Sequence, residues 1–362
     1  MKRNVLLIVV AVVLVAVTAA AAPSAPRAPR APRLAGNIEA SQARFAPEEP
    51  VALTLHLANQ SGASVWVPRW QLPSDEIDAD ILEVARDGQP VDYVGPFVKR
   101  PAPTAEDYVE ILGGEEITTA FDPTSVYDMR PQGQYTVRFK TWQLDVLTRD
   151  PAGKAPSRVI GRMPRAIIPE VAASQAADFW FDGVDTELAV EAESIGGYTK
   201  CTTSQQSLLQ TAHNNAITYT GRSKSYLAGH STSSPGSIYT TWFGAATSTR
   251  YSTATSHFNA INDAFANKSV TYDCGCKKAY YAYVYPTQPY KIYLCKVFWT
   301  APSLGRDSKM GTLVHEMSHF NVVASTDDWV YGASGAASLA ISNPDKALDN
   351  ADNHEYFTED QP

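Results

Sequence analysis

No cysteine occurs before Cys201 in this 362-residue chain; all four, Cys201, Cys274, Cys276 and Cys295, fall in the second half. The first half therefore holds no disulfide, and it has no thiolate with which to cap a metal elsewhere in the chain. Basic residues are in deficit, 30 Lys and Arg against 38 Asp and Glu, and no basic stripe with interleaved aromatics is present, which excludes nucleic acid as a partner. The deficit is local: residues 1–196 carry 18 basic and 26 acidic groups, whereas from Gly197 onward the counts are 12 and 12. The apolar run at 5–17 stops short of the roughly 20 residues that cross a bilayer. It follows Met1-Lys-Arg-Asn4 and leads into small residues at 19–22, so residues 1–21 read as a secretory signal peptide cleaved after Ala21. A secreted chain without stable membrane association is expected, and its even cysteine count implies disulfides.

What is present divides the chain. Residues 22–36, with their Ala-Pro-Arg repeats, read as an extended Pro-rich linker. Between 37 and 147 the pattern is short alternating runs at 51–57, 64–67, 117–121 and 135–139, separated by turn signals such as Asp87-Gly88 and Gly113-Gly114. That predicts an all-β, antiparallel, immunoglobulin-like sandwich. Residues 148–196, with Pro151, Pro156, Pro164 and Pro169 and a weakly helical Ala-rich piece, read as an interdomain linker whose only lysine is Lys154. From 197 to 362 the pattern is α+β. Helical spacing at 204–219 and 253–266 precedes aromatic runs at 279–285 and 290–299, joined as a hairpin whose exposed strand can take an extended peptide by strand addition. Further helices are expected around 311–320, at 333–341 and from Asn343-Pro344-Asp345 onward.

One stretch assigns chemistry. Gly311 to Phe320 contains His315-Glu316-x-x-His319. Residues four apart share a helix face, so both imidazoles reach one Zn²⁺ while Glu316 faces the water to be activated. A catalytic zinc needs a third protein ligand. Val322 and Ser325 stand where the metzincin pattern has Gly and His, and no glutamate lies between Glu316 and Glu355. The loop Ser325-Thr-Asp-Asp-Trp-Val-Tyr-Gly332 offers Asp327 or Asp328 instead.

At these residues the chain resembles the aspartate-zinc metallopeptidases of the deuterolysin type. The resemblance lies in Gly311-Thr312, Thr326-x-Asp328 and Tyr331-Gly332, and it is closer to the peptidyl-Lys metalloendopeptidases. It extends through Thr240-Thr-Trp-Phe-Gly244, Tyr283-Val-Tyr-Pro286, Phe298-Trp-x-Ala-Pro302 and Asn350-Ala-Asp-Asn-His-Glu-Tyr-Phe357, covering most of residues 198–360. It implies a zincin-like catalytic domain with one Zn²⁺ per chain, held by His315, His319 and Asp328. It also implies Cys201 paired with Cys274 and Cys276 with Cys295. Glu316 is the expected general base. Tyr331, three residues past Asp328, is the expected donor to the oxyanion.

Asp352 and Glu355, three apart on a helix, share a face and suit an ammonium group; the resemblance implies cleavage of protein or peptide substrates on the amino side of lysine. The N-terminal sandwich, preceding a peptidase, is expected to be a prodomain acting as intramolecular inhibitor or chaperone. A broad-specificity deuterolysin-like enzyme is the alternative. A secreted binding protein with a vestigial zinc site is disfavoured by the general base, which a structural site does not need.

Overall fold

The computed structural model describes residues 33–47, 49–74, 76–153, 170–171, 175–183 and 196–362. The signal peptide, residues 22–32 of the Pro-rich linker, and Lys154 lie outside the described residues. In the N-terminal half the period-2 alternation becomes two sheets. Leu53–Asn59 turns Leu53, Leu55 and Leu57 inward and leaves Thr54 and His56 half-exposed, as a strand with one wet face must. One sheet is ordered Glu170–Val171, Arg33–Ala40, Leu53–Asn59, Glu116–Phe121; the other Arg44–Phe45, Ala177–Phe181, Gly133–Phe139, Leu82–Arg86, Gln89–Pro90. Leu34, Ile38, Leu55 and Leu57 from the first share one core with Phe45, Tyr135, Val137 and Phe179 from the second.

The boundaries differ from those expected. The first strand begins at Arg33, inside the stretch read as linker to 36, and Ala177–Phe181 lies inside the stretch read as linker from 148 to 196. Ala177, Phe179 and Phe181 point into the core, paired antiparallel with Val137, Tyr135 and Gly133. This alternation is a strand signal, but the prolines upstream hide it. The sheets are also not purely antiparallel: Arg33–Ala40 pairs parallel with Glu170–Val171, and Ala177–Phe181 with Arg44–Phe45.

In the second half a five-stranded sheet is ordered Gly197–Thr199, Thr271–Asp273, Lys291–Leu294, Ala282–Val284, Phe97–Lys99. The helix Thr203–Gly229 opens with a capping box between Thr202 and Gln205 and runs ten residues past its expected end. Ser248–Asn267 packs beside it, burying Phe258, Ile261 and Phe265. The run at 290–299 is strand only as far as Leu294 and continues as the helix Lys296–Thr300. The C-terminal segment is two helices, Pro344–Leu348 and Ala351–Glu359.

The hairpin strand Ala282–Val284 is not free. Phe97–Lys99, from the N-terminal half, pairs with it antiparallel, matching Lys99 to Ala282, Val98 to Tyr283 and Phe97 to Val284. Tyr281 N–H donates to the Lys99 carbonyl at 3.1 Å. One sheet is thus built from both halves.

Cys201 is joined to Cys274 across 73 residues and Cys276 to Cys295 across 19, the pairing the resemblance implies. Loop-closure entropy gives about 3 kcal/mol for the shorter loop and about 4 kcal/mol for the longer. Replacing Cys276 and Cys295 by alanine is expected to cost less than replacing Cys201 and Cys274, and guanidinium denaturation of the two double variants checks that order.

Candidate active site

The helix Lys309–His319 is buried over its whole length. Ser308 caps it, its Oγ accepting the Gly311 N–H at 2.9 Å, while the Ser308 N–H and O–H both donate to Glu359 Oε1 on the last helix, at 2.9 and 2.8 Å. Gly311 permits that contact: a Cβ there would sit 2.1 Å from Glu359 Oε1 and 2.9 Å from Glu355 Cγ. The last helix therefore lies directly on the helix that carries the histidines.

His315 and His319 bring their Nε2 atoms to 3.1 Å of each other. Beyond the helix the chain reverses through Ser325, at φ +52°, and Thr326 N–H bonds back to the Ser318 carbonyl at 3.1 Å. Thr326 O then accepts from His319 Nδ1 at 2.7 Å, which leaves Nε2 as the free lone pair. The same turn delivers Asp328, whose Oδ1 stands 3.3 Å from His315 Nε2 and 3.5 Å from His319 Nε2. Asp327, the other carboxylate offered by the sequence, is turned away: its Oδ1 accepts the Asp328 N–H at 2.8 Å. Tyr331 donates its hydroxyl to Asp328 Oδ2 at 3.0 Å.

These residues fit a zinc ion. Bonds of about 2.0–2.1 Å in a tetrahedron put ligand atoms about 3.3 Å apart, and the three donor separations here bracket that value. Asp328 Oδ1 is buried with no hydrogen-bond partner, as are both oxygens of Glu316 beside it. Burial depresses His319 to about 4, so the imidazole is neutral and able to ligate. Burial alone would raise Asp328, but His319 and His315 hold it below the usual carboxylate range. Burial pushes Glu316 up to about 8. The arrangement, two imidazoles and a carboxylate around one point with an uncommitted carboxyl beside them, is that of a metal-dependent hydrolase.

Asp352 and Glu355 face the same site from the last helix, and they enclose a lysine. Lys99, from the inserted strand, sets its Nζ against Glu355 Oε2 and 3.2 Å from Asp352 Oδ1, with Asp307 Oδ1 at 3.8 Å. The side chain is only 1% exposed. Burial would lower its pKa, yet Asp352 and Glu355 hold it well above the ordinary value. Asp352 serves a second neighbour, its Oδ1 lying 2.8 Å from His315 Nδ1. Either side of Lys99, the Phe97 ring stacks on His319 with centroids 4.9 Å apart, and Arg100 donates to the Tyr331 hydroxyl at 3.0 Å. Sequence reasoning missed Lys99 and Arg100. The available signal was a short Phe-Val-Lys-Arg run between Pro96 and Pro101, in a chain already expected to cut before lysine.

Comparison with known proteins agrees with this chemistry. The aspzincin family model, described as lysine-specific metallo-endopeptidase, matches residues 226–359. An extracellular protease of Aeromonas hydrophila is 43% identical over 324 residues, covering 87% of this chain and 89% of the relative. The peptidyl-Lys metalloendopeptidase of Armillaria mellea is 48% identical over 167 residues, 46% of each chain. Among solved structures, the zinc peptidase from Grifola frondosa matches at 46% identity over 45% of this chain and 98% of its own, with a TM-score of 0.41. The chain belongs to the aspzincin family and is a zinc metalloendopeptidase.

The double contact of Asp352 separates two substitutions. Asp352→Asn weakens the hold on His315 as well as on an ammonium, so zinc affinity is expected to fall about 10- to 100-fold and every substrate to be cut more slowly. Glu355→Gln is expected to leave zinc affinity within a few-fold and to lower cleavage of a lysine peptide relative to a neutral one. Zinc titration beside the two peptide assays distinguishes them; a Glu355 variant that loses both substrates equally means the pair is structural.

Proposed function

We propose that the chain is the secreted zymogen of an endopeptidase that cuts proteins on the amino side of lysine, with one Zn²⁺ held by His315, His319 and Asp328. The observation that carries the specificity is the Lys99 ammonium buried between Asp352 and Glu355: this pocket accepts a lysine side chain at full depth. Zinc, when bound, supplies a Lewis acid that polarises a carbonyl and lowers the pKa of a water to about 7. Glu316 takes the proton from the attacking water and passes it to the leaving amine, a role its two uncommitted oxygens beside the ligands leave it free to perform. Tyr331 donates to the oxyanion, and Asp352 fixes the His315 ring.

The N-terminal sheets act as prodomain, which we read as an immunoglobulin-like sandwich, and Lys99 occupies the pocket a substrate needs. Secretion is supported by the leader-like residues 1–21, by the disulfides and by the extracellular relative. Of the lysines near the catalytic half, Lys200 is exposed immediately before Cys201, so a cut at Thr199-Lys200 separates the halves and keeps the disulfide in the mature enzyme.

Two measurements test the reading. Mass spectrometry of a protein digest is expected to find lysine after nearly every cut, and scattered cut sites return the enzyme to the broad-specificity alternative. Glu316→Gln is expected to bind zinc as wild type does and to lose 10²- to 10⁴-fold in hydrolysis; near-normal activity sinks the proposed base.

Latency has its own test. Lys99→Ala leaves the buried Glu355 carboxylate uncompensated, about 3–5 kcal/mol, while Asp352 keeps His315 and the Gly332 N–H, and it empties the pocket. The full-length variant is expected to melt lower than wild type and to cut an added lysine peptide faster, whereas an unchanged rate removes Lys99 from the inhibition.

A further inference from the structure

The inserted strand is held in the manner of a substrate, which raises the question of why it is not simply cut. Phe97–Lys99 runs antiparallel along the Ala282–Val284 edge with the Lys99 carbonyl turned toward that edge, where Tyr281 N–H meets it at 3.1 Å. In an extended strand successive carbonyls point to opposite sides, so the Val98 carbonyl points away from the edge. The face of the strand that carries Phe97 and Lys99 packs on the site, the Phe97 ring stacked on His319 and the Lys99 ammonium next to the carboxylates that flank His315, while the Val98 carbonyl shares Arg100 Nη1 with the Tyr331 hydroxyl. With Lys99 in the pocket, the bond an enzyme of the proposed specificity attacks is Val98–Lys99.

Both groups required for that attack are engaged by one side chain. Arg100 Nη1 donates to the Val98 carbonyl at 3.3 Å and to the Tyr331 hydroxyl at 3.0 Å. Tyr331 in turn donates to Asp328 Oδ2 at 3.0 Å. The guanidinium is fixed from behind. Its Nη2 lies 2.6 Å from Asp78 Oδ1 and donates to the Asp78 carbonyl at 3.0 Å, and its carbon lies 5.3 Å from the ring centroids of Trp70 and of Tyr280. Arg100 is 5% exposed. Lys99 therefore delivers the bond, and Arg100 stands between its carbonyl and the tyrosine that would stabilise the oxyanion.

We infer that Arg100 keeps the zymogen intact: by occupying the Val98 carbonyl and the Tyr331 phenol together it withholds from hydrolysis the Val98–Lys99 bond that Lys99 has set in substrate register. The inference rests on the lysine-directed peptidase reading. Freed of Arg100, the bond is hydrolysed within the same chain. The oxygen of water joins the Val98 carbonyl carbon, the C–N bond breaks, Val98 leaves as a carboxylate and the Lys99 nitrogen takes both of the water's protons to become an ammonium. A guanidinium suits this duty because Nη1 carries two N–H donors for two acceptors while Nη2 is anchored elsewhere, and it does not deprotonate at working pH.

The test uses zinc-loaded full-length chains: wild type, Arg100→Gln, Asp78→Asn, which keeps the arginine but removes the charge that anchors it, and Lys99→Ala. N-terminal sequencing follows the appearance of a chain beginning at Lys99. Arg100→Gln is expected to generate it at least tenfold faster than wild type, at a rate independent of protein concentration, and Asp78→Asn is expected to shift the same way. In a Glu316→Gln background, acetylation of Lys99 by an amine reagent reports whether the strand remains docked, and it is expected to stay protected in both variants. Wild type cut at Val98–Lys99 as fast as Arg100→Gln overturns the inference, as does an Arg100→Gln chain that stays intact with Lys99 protected. Rapid labelling of Lys99 in that variant also overturns it, because Arg100 then only docks the strand. Should Arg100→Gln fail to give a cooperative melt, Asp78→Asn decides by the same criteria. Lys99→Ala with an added lysine peptide separates the two levels. If it cuts the peptide while both other variants stay whole, only the role of Arg100 falls; if it leaves the peptide intact, Lys99 does not fill the substrate pocket and this inference falls, whereas scattered cut sites in the protein digest overturn the specificity itself.

Discussion

A single ammonium group buried between two carboxylates ties this molecule together. Lys99 brings a charge to a place almost without water, and the oxygens of Asp352 and Glu355, with Asp307 farther off, make that tolerable. The same contact holds the end of the N-terminal strand against the catalytic sheet, and through Asp352 it reaches the Nδ1 of His315. Two things that could have been independent, the union of the halves and the orientation of the His315 imidazole, depend on one small cluster of charge.

The packing that makes this cluster possible is set by the smallest residue on the metal helix. Gly311 lets the last helix approach until Glu359 bonds Ser308, and at that distance Asp352 and Glu355 arrive level with His315. A larger residue would push the acidic pair away from both the imidazole and the lysine. The acids that enclose Lys99 also reach the imidazole, Asp352 at 2.8 Å and Glu355 at 3.6 Å from His315 Nδ1, which is why the two, although three apart on one helix face, are not equivalent.

Legibility in the sequence followed the range of the interactions. The four-residue spacing of His315 and His319 is a local helical property and could be read directly, as could the alternation of Leu53, Leu55 and Leu57. Asp327 and Asp328 could not be separated from spacing alone, because adjacent residues in a loop point wherever the turn sends them. That turn depends on Ser325 at positive φ and on the Thr326 bond to Ser318. Ala177–Phe181 was hidden because its pairing partner, Gly133–Phe139, lies some forty residues away and prolines intervene. The strand Phe97–Lys99 is three residues long and has no period to detect; its existence is decided by the free edge it meets and by the acids at its end. Local rules reached the metal helix, while the segment that fills the cleft is a long-range product of hydrogen-bond pairing and charge.

The edge strand Ala282–Val284 has a further consequence under the proposed reading. When the N-terminal half departs, the Tyr281 amide and its neighbours lose their partners, and an incoming chain must supply backbone hydrogen bonds as well as a lysine. A lysine inside a helix has its backbone groups committed four residues along the chain, and one in an interior strand has them committed on both sides. Such lysines become available only as often as their segment opens. The enzyme would then rank the lysines of a folded protein by the free energy of local unfolding around each, so its cleavage order would report the target's least stable regions before its sequence.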